Sequence, residues 1–257
     1  MINSIDFTFK MRQSSMMLFC MILFSFPIFA KDAKHILFIG NSYTYRNHMP
    51  KMVAELAKSN GRQVDVQWNV RGKTSFYQHI GRPALFQAIQ WKPWDIVVLQ
   101  GSSRDMLKGE TYMRTKTIPA LKKMIKAIRK RNPNAHIVFY MTWAYKNGYK
   151  PNRNANSYAK MTNLVAKEYI EIAKMFDASI APVGLFWMNL KSKNPKIALH
   201  QPDKAHPSKL GSFATACCMY CTLFKSPIQR IPKGLKSIKY NDYIRRSSNE
   251  FMFSVQE

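Results

Sequence analysis

Acidic side chains are scarce in this chain. Its 257 residues hold 14 Asp and Glu against 40 Lys and Arg, a formal net charge of +26 at pH 7. A charge of that size bears on solubility and partners rather than on fold. Cysteine is scarce as well. There are four, and Cys217, Cys218 and Cys221 share one apolar run. That clustering leaves no disulfide framework to build a fold on. Cys218 and Cys221 have C-x-x-C spacing but no second pair, no nearby His and no thioredoxin-like context. They read as buried small hydrophobes rather than as a metal or redox site. Internal repeats and low-complexity linkers are absent too, so the chain reads as one domain of ordinary size.

One long apolar run stands out, at the N-terminus. Residues 13–30 read QSSMMLFCMILFSFPIFA, with Lys10 and Arg12 just before. A basic start, an apolar stretch of about 13 residues and a small terminal Ala30 are the marks of a secretory signal. The stretch is short for a membrane span, and Pro27 interrupts it. Cleavage near Ala30 is the expectation, with retention as an N-terminal anchor the lesser reading. Bulky Phe19 before Cys20 argues against lipid attachment there. The expected product is exported, periplasmic or secreted, with 31–257 as a single domain and 226–257 as a basic extension packing on it. Removing 1–30 takes away Lys10, Arg12 and Asp6 and leaves +25.

From residue 35 the pattern alternates. Runs rich in β-formers appear at 35–39, 64–70, 95–100, 136–142 and 179–183. Helical spacing appears between and after them, at 49–61, 115–133, 155–177 and 208–224. A weaker helical pattern lies around 236–247. Strands separated by helices, several of them continuous apolar runs, predict a mainly parallel five-stranded sheet covered on both faces. Ligands bind such sheets beyond the carboxyl ends of the strands.

The first strand runs into ILFIGNSYT, which places Ser42 at such an end. Asp203 and His206 stand three residues apart in HQPDKAHPSKLG. A carboxylate accepting from one ring nitrogen fixes the imidazole tautomer and frees the other nitrogen for a serine hydroxyl. Pro207 biases His206 toward extended backbone, so the pair belongs to the loop before the last long helix. Acyl transfer also needs donors for a developing oxyanion. Candidates are the Ser42 N–H, the N–H of Gly72 after the second strand and the side-chain amide of Gln100 after the third. Gly72 is otherwise a turn glycine, and Gln100 otherwise a strand-end residue bonding neighbouring loops. Arg46 is a candidate pocket residue beside Tyr43, Asn47 and His48. Trp143 is either a platform for a sugar ring or a core residue. His200 lies near the pair without a role.

Together these residues resemble the SGNH hydrolases, the GDSL-type lipases and esterases. FIGNSYT matches that family's first motif, Gly72 its lone glycine and DKAHPS its D-x-x-H, in order across 35–224. Asn41 stands for the usual Asp, and Gln100 for the usual Asn. The resemblance implies a three-layer α/β/α flavodoxin-like fold and ester hydrolysis with no metal and no cofactor. The expected substrate is an O-acyl ester, acetyl foremost, on an acylated, anionic polysaccharide or envelope glycan. The basic charge adds an expected association with membrane surfaces. Nucleic acid is disfavoured by export and by the lack of any recognition motif. The competing readings are a lipid ester hydrolase and a catalytically weak glycan-binding module, the latter allowed by Gln100.

Overall fold

A computed structural model describes residues 33–253, so the expected signal at 1–30 lies outside the described residues. Five strands form one sheet: β1 (Lys34–Gly40), β2 (Val64–Val70), β3 (Ile96–Leu99), β4 (His136–Tyr140) and β5 (Ser179–Ala181). Their spatial order is β2-β1-β3-β4-β5, and every pairing is parallel. The N-terminal half of the chain contributes α1 (Ser42–Tyr45), α2 (Met49–Ser59), α3 (Phe76–His79), α4 (Pro83–Trp91) and α5 (Glu110–Tyr112). The rest contributes α6 (Ile118–Arg131), α7 (Tyr158–Phe176), α8 (Val183–Lys193), α9 (Lys209–Phe224) and α10 (Asn241–Phe253).

Side chains alternate across a strand. Ile36, Phe38, Ile96, Val98, Val138 and Tyr140 therefore face one layer, packed with α2, α8, α9 and α10. Leu37, Ile39, Val97, Leu99, Ile137 and Phe139 face the other, packed with α4, α6 and α7. The central strands are apolar on both sides because both sides are covered, which is why they read as continuous apolar runs. α9 is capped by Ser208, whose hydroxyl accepts from the Gly211 N–H. It carries Cys217, Cys218 and Cys221, all buried and free. Among the described residues no helix is long and apolar enough to cross a membrane.

Some boundaries differ from expectation for local reasons. The fifth strand stops at Ala181 because Pro182 has no N–H for the ladder, and Val183 opens α8 instead. Regular α6 begins only at Ile118, after a π-turn over Met113–Thr117. α1, α3, α4, α5 and α8 lie outside the expected helical stretches, and the last helix lies at 241–253 rather than 236–247.

Strand order 2-1-3-4-5 reverses direction between β1 and β3, where a crevice opens beyond the strand ends. Ser42 follows β1 into it, and the 100–104 loop follows β3.

Candidate active site

The turn after β1 is built around two side chains. A Cβ at Gly40 would lie 2.4 Å from Thr44 Oγ1 and 2.6 Å from Gln100 Oε1, so only glycine fits there. Asn41 then caps α1. Its Oδ1 accepts from the Tyr43 N–H at 3.1 Å, and its Nδ2 donates to the Thr74 carbonyl at 3.0 Å. An Asp could make the first bond but not the second. Asn41 thus ties the loop carrying Ser42 to the loop after β2. Beneath the turn, buried His79 donates from Nε2 to the Gly40 carbonyl (3.1 Å) and accepts at Nδ1 from Arg82 (2.9 Å).

The second half of the site is a short loop between α8 and α9. Asp203 Oδ1 accepts from the N–H groups of Ala205 (3.0 Å) and His206 (2.9 Å). Its other oxygen takes the His206 Nδ1–H at 2.5 Å. One carboxylate therefore shapes the turn and aims the ring. An isolated antiparallel bridge, His200 with Pro207, closes the loop at its base. Asn47 straps it to the first loop by donating to Pro207 O at 3.1 Å. Trp143 Nε1 donates to Ala205 O at 2.9 Å. Tyr43, Trp143 and Trp187 stack with centroids 4.5 and 4.1 Å apart, and Tyr43 meets the His206 ring edge-on at 5.7 Å. His206 is held by an aromatic wall as well as by its carboxylate.

These two halves meet at one hydrogen bond. His206 Nε2 stands 2.9 Å from Ser42 Oγ. With Nδ1–H directed at Asp203, Nε2 has the lone pair that accepts the serine proton. Although burial opposes it, the Ala205 and His206 N–H groups and the His206 ring together pull the Asp203 carboxyl down to about 2. Burial pushes the Tyr43 phenol well above its usual range, so it stays neutral beside the imidazole. Burial also lowers His79 and His200 to about 4, which keeps both neutral.

Sequence reasoning placed Gln100 among the oxyanion donors, and the structure corrects this. Gln100 is 0% exposed. Its Oε1 accepts from the Asn41 N–H and the Thr44 hydroxyl, both at 2.8 Å, and its Nε2 donates to Gly101 O. Asn41 N–H can only donate and Gly101 O can only accept, so this orientation of the amide is fixed. The residue locks the β1 and β3 ends together from a buried position that does not line the cavity at Ser42. Trp143 is likewise not a sugar platform. It is 0% exposed and serves as the middle of the aromatic stack. Arg46 is exposed, but it does not line the cavity at Ser42. Gly72 is exposed and does not itself line the cavity, whereas its neighbour Lys73 does. As the first residue of α1, Ser42 has no helical acceptor for its N–H. No other hydrogen bond among the described residues uses it.

The cavity at Ser42 and His206 holds about 620 Å³. Ser102 and Ser103 line it from the loop after β3, in place of Gln100. Lys73, Arg104, Lys108 and Tyr145 also line it, and none of these was singled out from the sequence.

Residues 38–212, well over half the chain, match the GDSL-like lipase/acylhydrolase family. The chain belongs to that family. It is accordingly an ester-hydrolysing serine hydrolase with the SGNH architecture. It is similar to a protein from Slackia heliotrinireducens assigned to the SGNH hydrolases, at 29% identity and a TM-score of 0.60, covering 75% of this chain and 100% of that one. A DUF4886 family protein from Bacteroides uniformis shares the fold with a TM-score of 0.73 at 17% identity, over 87% and 96% of the two chains. An acetyl xylan esterase, AlAXEase, shares it with a TM-score of 0.54 at 16% identity, over 72% and 98%. No curated protein matches the chain.

Proposed function

We propose that this GDSL-family protein is an exported serine esterase that removes O-acyl groups, acetyl foremost, from a polysaccharide or cell-envelope glycan. The observation that carries the chemistry is the unbroken chain of hydrogen bonds from Ser42 through His206 to Asp203, at the edge of the cavity. Ser42 Oγ attacks the ester carbonyl as His206 Nε2 takes its proton. The carbonyl oxygen becomes an oxyanion facing the Ser42 N–H, with the Gly72 backbone as the second donor. Collapse breaks the C–O bond to the sugar, and His206 returns its proton to the leaving alkoxide. Water then attacks the acyl-enzyme with the same base, releasing the carboxylic acid and Ser42. Asp203 holds the tautomer and stabilises the imidazolium in both halves.

Export rests on the signal-like segment at 13–30. Support for a glycan comes from the polar cavity wall and from the fold shared with an acetyl xylan esterase. The test is direct. A fluorophosphonate should label Ser42, and Ser42→Ala or His206→Ala should lower kcat on p-nitrophenyl acetate by about 10³-fold or more. Acetate release from acetylated glycans should vanish with them. Undiminished turnover in Ser42→Ala would overturn the assignment.

A further inference from the structure

The cavity wall beside Ser42 is strongly basic. Lys73 reaches it from the loop after β2, and Arg104 and Lys108 from the loop after β3, against one lining carboxylate, Asp105. That carboxylate is engaged. Lys108 Nζ lies 2.8 Å from Asp105 Oδ1 and 4.0 Å from the centroid of the Tyr112 ring. Lys73 and Arg104 have no carboxylate within ion-pair distance among the described residues, so their charges stay uncompensated.

Neither is a random surface cation. Arg104 lies against the Tyr149 ring, 6.0 Å from its centroid, and Tyr149 meets Tyr145 edge-on at 6.3 Å. Tyr145 lines the same cavity as Tyr43, the residue after the serine. The guanidinium therefore rests on an aromatic face of the cavity wall, which limits the freedom it would lose on binding a ligand. Lys73 sits at φ 57°, a left-handed backbone that a lysine seldom adopts. Strain of this kind persists where the surroundings enforce it, and it concentrates at ligand clamps. The next residue is tied to the catalytic turn, since the Asn41 side chain donates to the Thr74 carbonyl at 3.0 Å. The sequence thus directs two unpaired cations into the cavity from opposite sides of the β1/β3 crevice.

We infer that the ester-bearing substrate carries an oxyanion, a sugar carboxylate or a phosphate, and that Arg104 and Lys73 bind it while the acyl group lies at Ser42. A planar guanidinium and an ammonium lining one cavity suit such a group through charge-assisted hydrogen bonds. The inference rests on the esterase reading and narrows it to an anionic acyl acceptor.

The test compares kcat/KM of the purified protein on four substrates: O-acetylated polyuronate, an O-acetylated glycerol-phosphate polymer, neutral acetylated xylan and p-nitrophenyl acetate. The expected result is at least a tenfold preference for one anionic polymer over xylan. The polymer chosen identifies the source of the oxyanion as carboxylate or phosphate. Arg104→Gln combined with Lys73→Asn, an asparagine being at ease in the left-handed region, should reduce that preference at least tenfold, mainly through KM. Arg104→Lys should retain part of it, and Lys167→Gln, which removes one charge on the exposed side of α7, should leave it in place. Equal kcat/KM on anionic and neutral polymers, or a preference unmoved in the double variant, overturns the inference while p-nitrophenyl acetate turnover leaves the esterase standing. No p-nitrophenyl acetate turnover in the unmodified protein overturns the esterase reading itself, and this inference with it.

Discussion

Replacing Gln100 by Leu separates two roles that a glutamine at this position could play. In the structure its amide satisfies three groups: the Asn41 N–H, the Thr44 hydroxyl and the Gly101 carbonyl. Leucine fills a similar volume and satisfies none of them. The Thr44 hydroxyl can rotate toward another acceptor, but the Asn41 N–H and the Gly101 carbonyl are fixed by the backbone. Leaving two buried groups unpaired costs about 1–3 kcal/mol each, or about 2–6 kcal/mol in all. For a domain of this size that lowers Tm by roughly 5–20 °C. An oxyanion donor would behave differently. Its loss would raise the barrier by about 2.7–4 kcal/mol, a fall of roughly 10²–10³ in kcat, with stability hardly touched. Thermal unfolding followed by circular dichroism, alongside kcat on p-nitrophenyl acetate, measures both axes. A Tm within about 2 °C of the parent together with a hundredfold loss of kcat would refute the scaffold role and restore Gln100 to the oxyanion hole.

Asp203→Asn should keep the turn, since an amide oxygen can still accept from the Ala205 and His206 N–H groups. It should nonetheless reduce kcat by up to about 10⁴ through the wrong imidazole tautomer, and a rate equal to the parent's would show that the carboxylate is dispensable. Acid should destabilise the fold through His79 and His200, both held at about 4 in the folded chain. The unfolded chain binds their protons from about pH 6.5 down, so stability is full above that pH and falls as the medium is acidified toward 4, by on the order of 3 kcal/mol per histidine. Urea midpoints that stay flat from pH 7 to pH 4.5 would contradict this.

The parts of the site carried by local sequence were legible. Gly40-Asn41-Ser42 closes a strand, and Asp203-x-x-His206 closes a turn, each within four residues. Their meeting depends on the three-dimensional arrangement, of which the apolar runs implied the parallel sheet but not its strand order. What escaped reading depends on partners distant along the chain. Gln100 ends a strand with an amide, but only the fold shows that Asn41 and Thr44 approach it from β1's side. Trp143 follows β4, and whether its ring faces solvent or Trp187 is decided by α8, a helix the sequence pattern did not reveal. Lys73 and Arg104 carried no signal because cations stand everywhere in this chain. The usable clue was their placement immediately after Gly72 and after GSS at two strand ends.

The abundance of cations raises the question of whether a basic cavity means anything in a protein of net charge +26. Screening answers it. At about 0.15 M salt the Debye length is roughly 8 Å, and at 1 M about 3 Å. Exposed lysines such as those on α6 attract a polyanion only through solvent, so their pull should fade over that range, and the protein should elute from a heparin column. Arg104 and Lys73 are exposed too, but they line the cavity and act at contact distance on a bound anion, well inside the Debye length. Discrimination between an anionic and a neutral acetylated polymer should therefore persist at salt concentrations where column retention is already lost. Overall affinity for the polyanion would fall with salt while the ratio of kcat/KM values falls far less. If retention and discrimination disappear together along one salt titration, the surface is acting as a whole and the cavity cations have no separate role.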